Sequence, residues 1–182
     1  MKKSIFLFVM ALVMSGASVT IATAQKADGS IFGKGSKVVN LGLGLGGMHG
    51  AGYGMRVPPI QGAFEIGIVD NLIKSTGQGA IGIAPTIGYA AWGFEDWTLS
   101  DIFLGVKGNF HYQFVPKLDT YAGVQLGYNV VRWSGDVSGA AGSALYYGFA
   151  IGARYYFKDN LAVMAEAGYG ISWLNIGIAL KL

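Results

Sequence analysis

The sequence predicts an all-β protein, an eight-stranded antiparallel up-and-down transmembrane β-barrel preceded by a cleavable signal peptide. Apolar residues recur at every second position over eight segments, the period of a strand with two different faces. Within those segments the charges fall on the glycine-bearing face, and the opposite face is hydrocarbon and aromatic. The composition agrees: 52% of the 182 residues are hydrophobic and only 13% charged, about half the ~25% charge of a soluble globular chain.

Residues 1–24 read as an export signal. Lys2 and Lys3 give a positive start, Ile5 to Met14 an apolar stretch, and Ala22-Thr23-Ala24 a small-residue cleavage site before Gln25. The apolar stretch is short for a spanning helix. Residues 25–36 then form a short N-terminal periplasmic segment, and 37–182 the barrel. Without Lys2 and Lys3 the balance is 11 basic to 10 acidic residues, so a nucleic-acid partner has no electrostatic support. The chain has no cysteine, which excludes disulfides and thiolate metal sites.

The eight segments follow in order. Val39, Leu41, Leu43 and Leu45 alternate with Asn40, Gly42 and Gly44. Phe64, Ile66 and Ile68 alternate with Glu65 and Gly67. Ile81, Ile83, Pro85, Ile87 and Tyr89 oppose Gly82, Ala84, Thr86 and Gly88. Leu104, Val106, Phe110, Tyr112 and Phe114 oppose Lys107, Asn109, His111 and Gln113. Ala122, Val124, Leu126 and Tyr128 oppose Gly123, Gln125 and Gly127. Leu145, Tyr147, Phe149, Ile151, Tyr155 and Phe157 oppose Gly148, Gly152 and Arg154. Leu161, Val163, Ala165 and Ala167 oppose Glu166 and Gly168. Leu174, Ile176, Ile178, Leu180 and Leu182 complete the set against Asn175, Gly177 and Lys181.

The uncharged stretches 38–55 and 75–94 keep period two and are rich in glycine, which argues against membrane helices. In water the apolar faces would form a belt that soluble monomers avoid. In lipid the belt is favourable, and a closed barrel satisfies every backbone hydrogen bond. Strands of about 11 residues at ~3.3 Å and a tilt of ~40° reach roughly 27 Å, enough for an apolar band of ~25 Å. An eight-stranded barrel has room only for packed side chains, so its inner face must mix glycine with a few large groups.

With the N-terminus inside, loops 47–58, 93–100 and 134–143 face outward and the turns at Pro116–Leu118 and Lys158–Asn160 face the periplasm. Trp92, Trp97, Trp133 and Trp173 then fall at outer ends as an aromatic girdle, and Tyr112, Phe114, Tyr155 and Phe157 at inner ends as a second one. Glu65, Lys107, His111, Gln125, Arg154 and Glu166 form an interior polar network. Arg154 and Glu166 are expected as diagonal neighbours across the Lys158–Asn160 turn.

Cofactor and metal chemistry find little support. Gly42, Gly44 and Gly47 match G-x-G-x-x-G, but a loop-like segment follows where a dinucleotide site needs a helix. His49 and His111 have no metal-ligand spacing. The outer-rim residues Ser100, Ser134, Ser143, Ser172, His49, Glu95, Asp96, Asp101 and Asp136 occupy separate loops without a readable triad, so no catalytic residue is assigned.

The chain resembles the small outer-membrane β-barrel proteins of Gram-negative bacteria, the OmpA/OmpX-like eight-stranded architecture. The likeness covers about 37–182 and rests on Lys37-Val38-Val39-Asn40-Leu41-Gly42, Lys117-Leu118-Asp119-Thr120-Tyr121-Ala122-Gly123 and Gly152-Ala153-Arg154-Tyr155-Tyr156-Phe157. It implies a bacterial outer-membrane location in contact with lipid and lipopolysaccharide, most naturally as a monomer. The last strand, with Gly177, Leu180 and Leu182, looks like the C-terminal signal read by the barrel-assembly machinery, although such signals usually close on an aromatic residue. The expected role is non-catalytic: envelope structure, or surface interaction through the outward loops. A narrow porin-like channel is the runner-up and a lipid A-modifying enzyme the third reading.

Overall fold

A computed structural model describes residues 30–47, 54–135 and 139–182. The proposed leader, His49, Tyr53 and Asp136 lie outside the described residues. The strands are β1 (Lys37–Leu45), β2 (Gly54–Val69), β3 (Ala80–Phe94), β4 (Trp97–Val115), β5 (Leu118–Ser134), β6 (Gly139–Lys158), β7 (Leu161–Tyr169) and β8 (Leu174–Lys181). Each pairs antiparallel with its neighbours in chain order, and β1 pairs with β8 from Val38↔Lys181 to Leu45↔Leu174, so the sheet closes into a barrel. Closure leaves no sheet edge along the paired wall. No helix among the described residues is long and apolar enough to cross a membrane.

Inside and outside follow the sequence alternation. Leu41, Leu43, Ile87, Leu104, Val124, Leu126, Phe149, Ile151 and Ile176 are all exposed on the outer surface, whereas Asn40, Glu65, Lys107, His111, Gln125, Arg154 and Glu166 are buried. Glycines on the inner face make room for the few large groups there. A side chain at Gly152 would collide with the Tyr121 ring, and one at Gly105 or Gly127 with the Phe103 ring.

The start of β1 and Leu182 lie together at one end of the barrel, where Leu182 N–H donates to the Lys37 carbonyl at 2.9 Å; this is called the terminal end here. Its turns are a folded connection of residues 70–79, the tight Pro116–Lys117 turn, where Lys117 has φ 66°, and Asp159–Asn160. At the far end the outward loops are shorter than the sequence pattern suggests. The expected loop 93–100 is almost all strand: Trp92 pairs with Leu99, Gly93 with Thr98 and Phe94 with Trp97, leaving only Glu95 and Asp96 as the turn. Residues 54–58 belong to β2, and 134 and 139–143 to β5 and β6. Side-chain alternation ends where an apolar face is no longer needed, but backbone pairing does not depend on it and continues.

Strand lengths are uneven as a result. β7 and β8, at 9 and 8 residues, reach roughly 20–23 Å along the barrel axis at ~3.3 Å per residue and ~40° tilt. β4 and β6, at 19 and 20 residues, reach roughly 50 Å on the same geometry. A curved sheet of β2 to β6 rises above the far rim, where β1, β7 and β8 have already ended.

Candidate functional site in the barrel interior

The interior is stacked in layers, each supplied by inward positions of several strands. At the terminal end lies an apolar layer of Phe32, Val38, Ala80, Tyr156, Ala162 and Ala179. Phe32 comes from the segment before β1, which folds back into the mouth so that its ring stacks on His111, centroids 3.8 Å apart and planes 18° apart.

Directly above sits the charged layer. Glu65 on β2 is fully buried and accepts hydrogen bonds from Arg154 Nη2, Asn109 Nδ2 at 2.6 Å and His111 Nε2 at 2.9 Å. Asp119 on β5 receives Arg154 Nη1 at 3.1 Å and lies 2.9 Å from His111 Nδ1. The Arg154 guanidinium also lies 4.6 Å from the Tyr121 ring centroid. One planar fork thus spans two carboxylates, a geometry that an arginine, and not a lysine, can supply.

His111 has a carboxylate at each ring nitrogen. A neutral imidazole carries one N–H and would face the second carboxylate with a lone pair; the imidazolium satisfies both. With it, the charges of Glu65, Asp119, Arg154 and His111 cancel. Nitrogen-15 NMR of the histidine ring is expected to show two protonated nitrogens at neutral pH, and a single-proton tautomer would refute this count.

The middle layer is a second ion pair. Lys107 Nζ bridges to Glu166 Oε1, which also accepts from Tyr121 Oη at 2.8 Å. Two cavities of about 20 Å³ each remain here, bordered by Lys107, Glu166, Gln61 and Asn175, room for about one water apiece. Towards the far end Gln125 Nε2 donates to Tyr146 Oη at 3.1 Å. There Ala90, Trp92, Leu99, Phe103, Tyr146 and Ile171 close the bore, with Val131 and Trp133 packed against them.

All six residues expected in the interior network are buried inside, but their pairing differs from expectation. Arg154 stands opposite Met164, and Glu166 opposite Gly152. The two are diagonal neighbours, yet Arg154 turns to Glu65 and Asp119 while Glu166 turns to Lys107. Asp119 was not among the expected network residues. It lies next to the Pro116–Lys117 turn, but β5 already begins at Leu118 and puts Asp119 in register with Arg154. Strand parity would have placed it inside.

The girdle assignments divide. Phe114, Tyr155 and Phe157 are exposed on the outer surface near the terminal end, with Tyr112 half-buried against Phe114. Trp173 is exposed at the far rim. Trp92 is corrected: it is only 2% exposed and belongs to the far apolar layer. Trp133 packs on that layer and meets Trp97 edge-on at 6.2 Å. Each lies at a strand's far end as expected, but on its inner face. The outward aromatics at that level are Tyr89, Tyr128, Tyr147 and Tyr169. Leu180 in β8 and Leu182 just past its end are exposed, and Gly177 lies against the Leu41 carbonyl of β1.

Of the rim residues weighed for catalysis, His49 and Asp136 lie outside the described residues. Ser172 is buried, its hydroxyl accepting from Gln61 Nε2 at 2.7 Å, and His111 lies in the layer next to the terminal end. No group of three or more metal-ligating side chains occurs among the described residues.

This closed eight-stranded antiparallel architecture is shared with solved β-barrels. One similar solved structure comes from the de novo design of transmembrane β-barrels: TM-score 0.54, 21% identity, 83% of this chain and 98% of that one covered. Another is Ail, the attachment invasion locus protein of Yersinia pestis: TM-score 0.52, 12% identity, 81% and 95% covered. Ail is also known in complex with the heparin analogue sucrose octasulfate. At these identities the likeness is one of fold. No protein-family model matches the chain, and no curated protein does.

Proposed function

We propose that the chain is an integral protein of the bacterial outer membrane, exported by its leader, non-catalytic and monomeric, which presents the raised far-end sheet as an interaction surface. The observation that carries this reading is the inverted surface: a belt of exposed Leu, Ile, Val and aromatic side chains surrounds a closed barrel that buries Glu65, Lys107, Asp119, Arg154 and Glu166 at the level of the belt. Lipid is the solvent in which that arrangement is stable. The terminal end then faces the periplasm and the raised sheet the exterior. Likeness to an attachment protein supports a surface-interaction role, and the packed bore argues against the porin-like alternative.

Gel mobility of the outer-membrane fraction with and without boiling tests the reading. A heat-modifiable band whose N-terminus is Gln25 is expected, together with no single-channel conductance in planar bilayers. A single mobility in the soluble periplasmic fraction would overturn it, and discrete conductance steps would restore the channel alternative.

A further inference from the structure

We propose that the terminal mouth is a binding site for an extended, aromatic-bearing peptide segment, filled in cis by Ser30–Ser36. Release of this strap, without parting of strands, is what admits water to the charged layer. The periplasmic direction of the mouth rests on the function proposed above; the site itself rests on the following contacts.

The seat is built into three strands. Gln113 Oε1 on β4 accepts from the Ile31 backbone N–H at 2.9 Å, and Lys181 Nζ on β8 donates to the Ile31 carbonyl at 2.6 Å. β2 supplies the rest: Gly35 N–H donates to the Gly67 carbonyl at 2.9 Å and Gly67 N–H to the Ser36 carbonyl at 2.8 Å. The Lys34 N–H donates to Asp70 Oδ2, just past the end of β2, at 3.1 Å. Side chains and a strand that read the backbone of an extended segment are how peptide-binding grooves work. One glycine is required by the guest: a side chain at Gly67 would overlap the Gly33 carbonyl, while one at Gly82 would meet first Glu65 and then the Phe32 ring.

The strap can also leave. Phe32 is its one fully buried side chain, Ile31 is half-buried, and Lys34 and Gly35 are exposed. All strand pairings start at Lys37 or beyond, so none is broken when the strap lifts. Local opening of this kind draws on few buried contacts. What it uncovers is specific: Ala162 and Ala179, both without solvent exposure, and behind them His111 and Arg154.

The test uses the full chain. It has no cysteine, so Ala162→Cys reports access to the mouth through labelling by a water-soluble maleimide. Trypsin cleavage after Lys34 reports strap release directly. Phe32→Ala is expected to raise both rates by about tenfold or more, the factor implied by losing one buried aromatic, with the heat-modifiable band unchanged. Phe32→Tyr should stay near the parent rates. Excess synthetic peptide of residues 25–36 should slow labelling of the Phe32→Ala protein, and the same peptide with Phe32 replaced by Ala should not. Labelling unchanged by Phe32→Ala, or rising only with loss of the heat-modifiable band, overturns the proposal. A parent protein with no heat-modifiable band overturns the outer-membrane reading instead, so the two failures are distinct.

Discussion

Replacing Arg154 by methionine is expected to lower the stability of the barrel by about 3–5 kcal/mol, the cost of breaking a buried ion pair by removing one partner. Methionine fills much of the same length, so little of the loss comes from a void. What remains is Glu65 and Asp119 facing each other inside the bore, with His111 beside both and no guanidinium between them. Urea unfolding in lipid vesicles, followed by gel mobility, measures the change. Adding Asp119→Asn to the Arg154→Met protein removes the surplus charge and is expected to restore part of the midpoint. A midpoint unmoved by Arg154→Met would mean that the charged layer is hydrated and contributes little to stability.

Val124→Arg is expected to cost about 2–4 kcal/mol in vesicles, the penalty for a cation on the lipid face near the bilayer midplane. Val124 is 66% exposed, so in water the same substitution would be nearly neutral. The magnitude separates the two solvents. The control is Arg132→Gln: Arg132 lies beyond Tyr128 on β5, is exposed, and is flanked by Val131 and Trp133 packed towards the interior. It sits above the belt, and its replacement should change stability little. Equal, small effects of the two substitutions would remove lipid as the solvent of the belt.

Most of the wall was legible because two solvents meet it on alternate residues. Leu41 against Gly42, or Val124 against Gln125, states which side faces hydrocarbon and which the lumen, and that contrast survives without any motif. Turns with their own chemistry, such as Pro116–Lys117 and Asp159–Asn160, were legible for local reasons. Beyond the belt the contrast fades: Gly93, Phe94 and Trp97 to Ser100 read as loop while the backbone still pairs. Trp92 was assigned by height along the strand when parity, following Ala84, Thr86 and Gly88, points it inward. The network could be named but not wired, since pairing partners depend on register across strands far apart in sequence, as with Glu65 and Arg154. The strap was invisible. Ser30-Ile31-Phe32-Gly33-Lys34-Gly35-Ser36 has the composition of a linker, and only the assembled mouth gives Phe32 a place to go.

The uneven strand lengths govern how the circle is joined. Neighbours from β3 to β6 are long, and β3 with β4 meets across the two-residue Glu95–Asp96 turn, so those hairpins zip with little loop entropy to overcome. The β1–β8 contact joins strands of 9 and 8 residues far apart in the sequence, so its closure carries the largest loop entropy of any pairing in the wall. The wall is thus a broad panel of long strands joined to a narrower side of β7, β8 and β1. The short ladders lie together, on both sides of β8 and of β1, so opening of the wall under lateral tension is expected on that side and not within the panel of long strands.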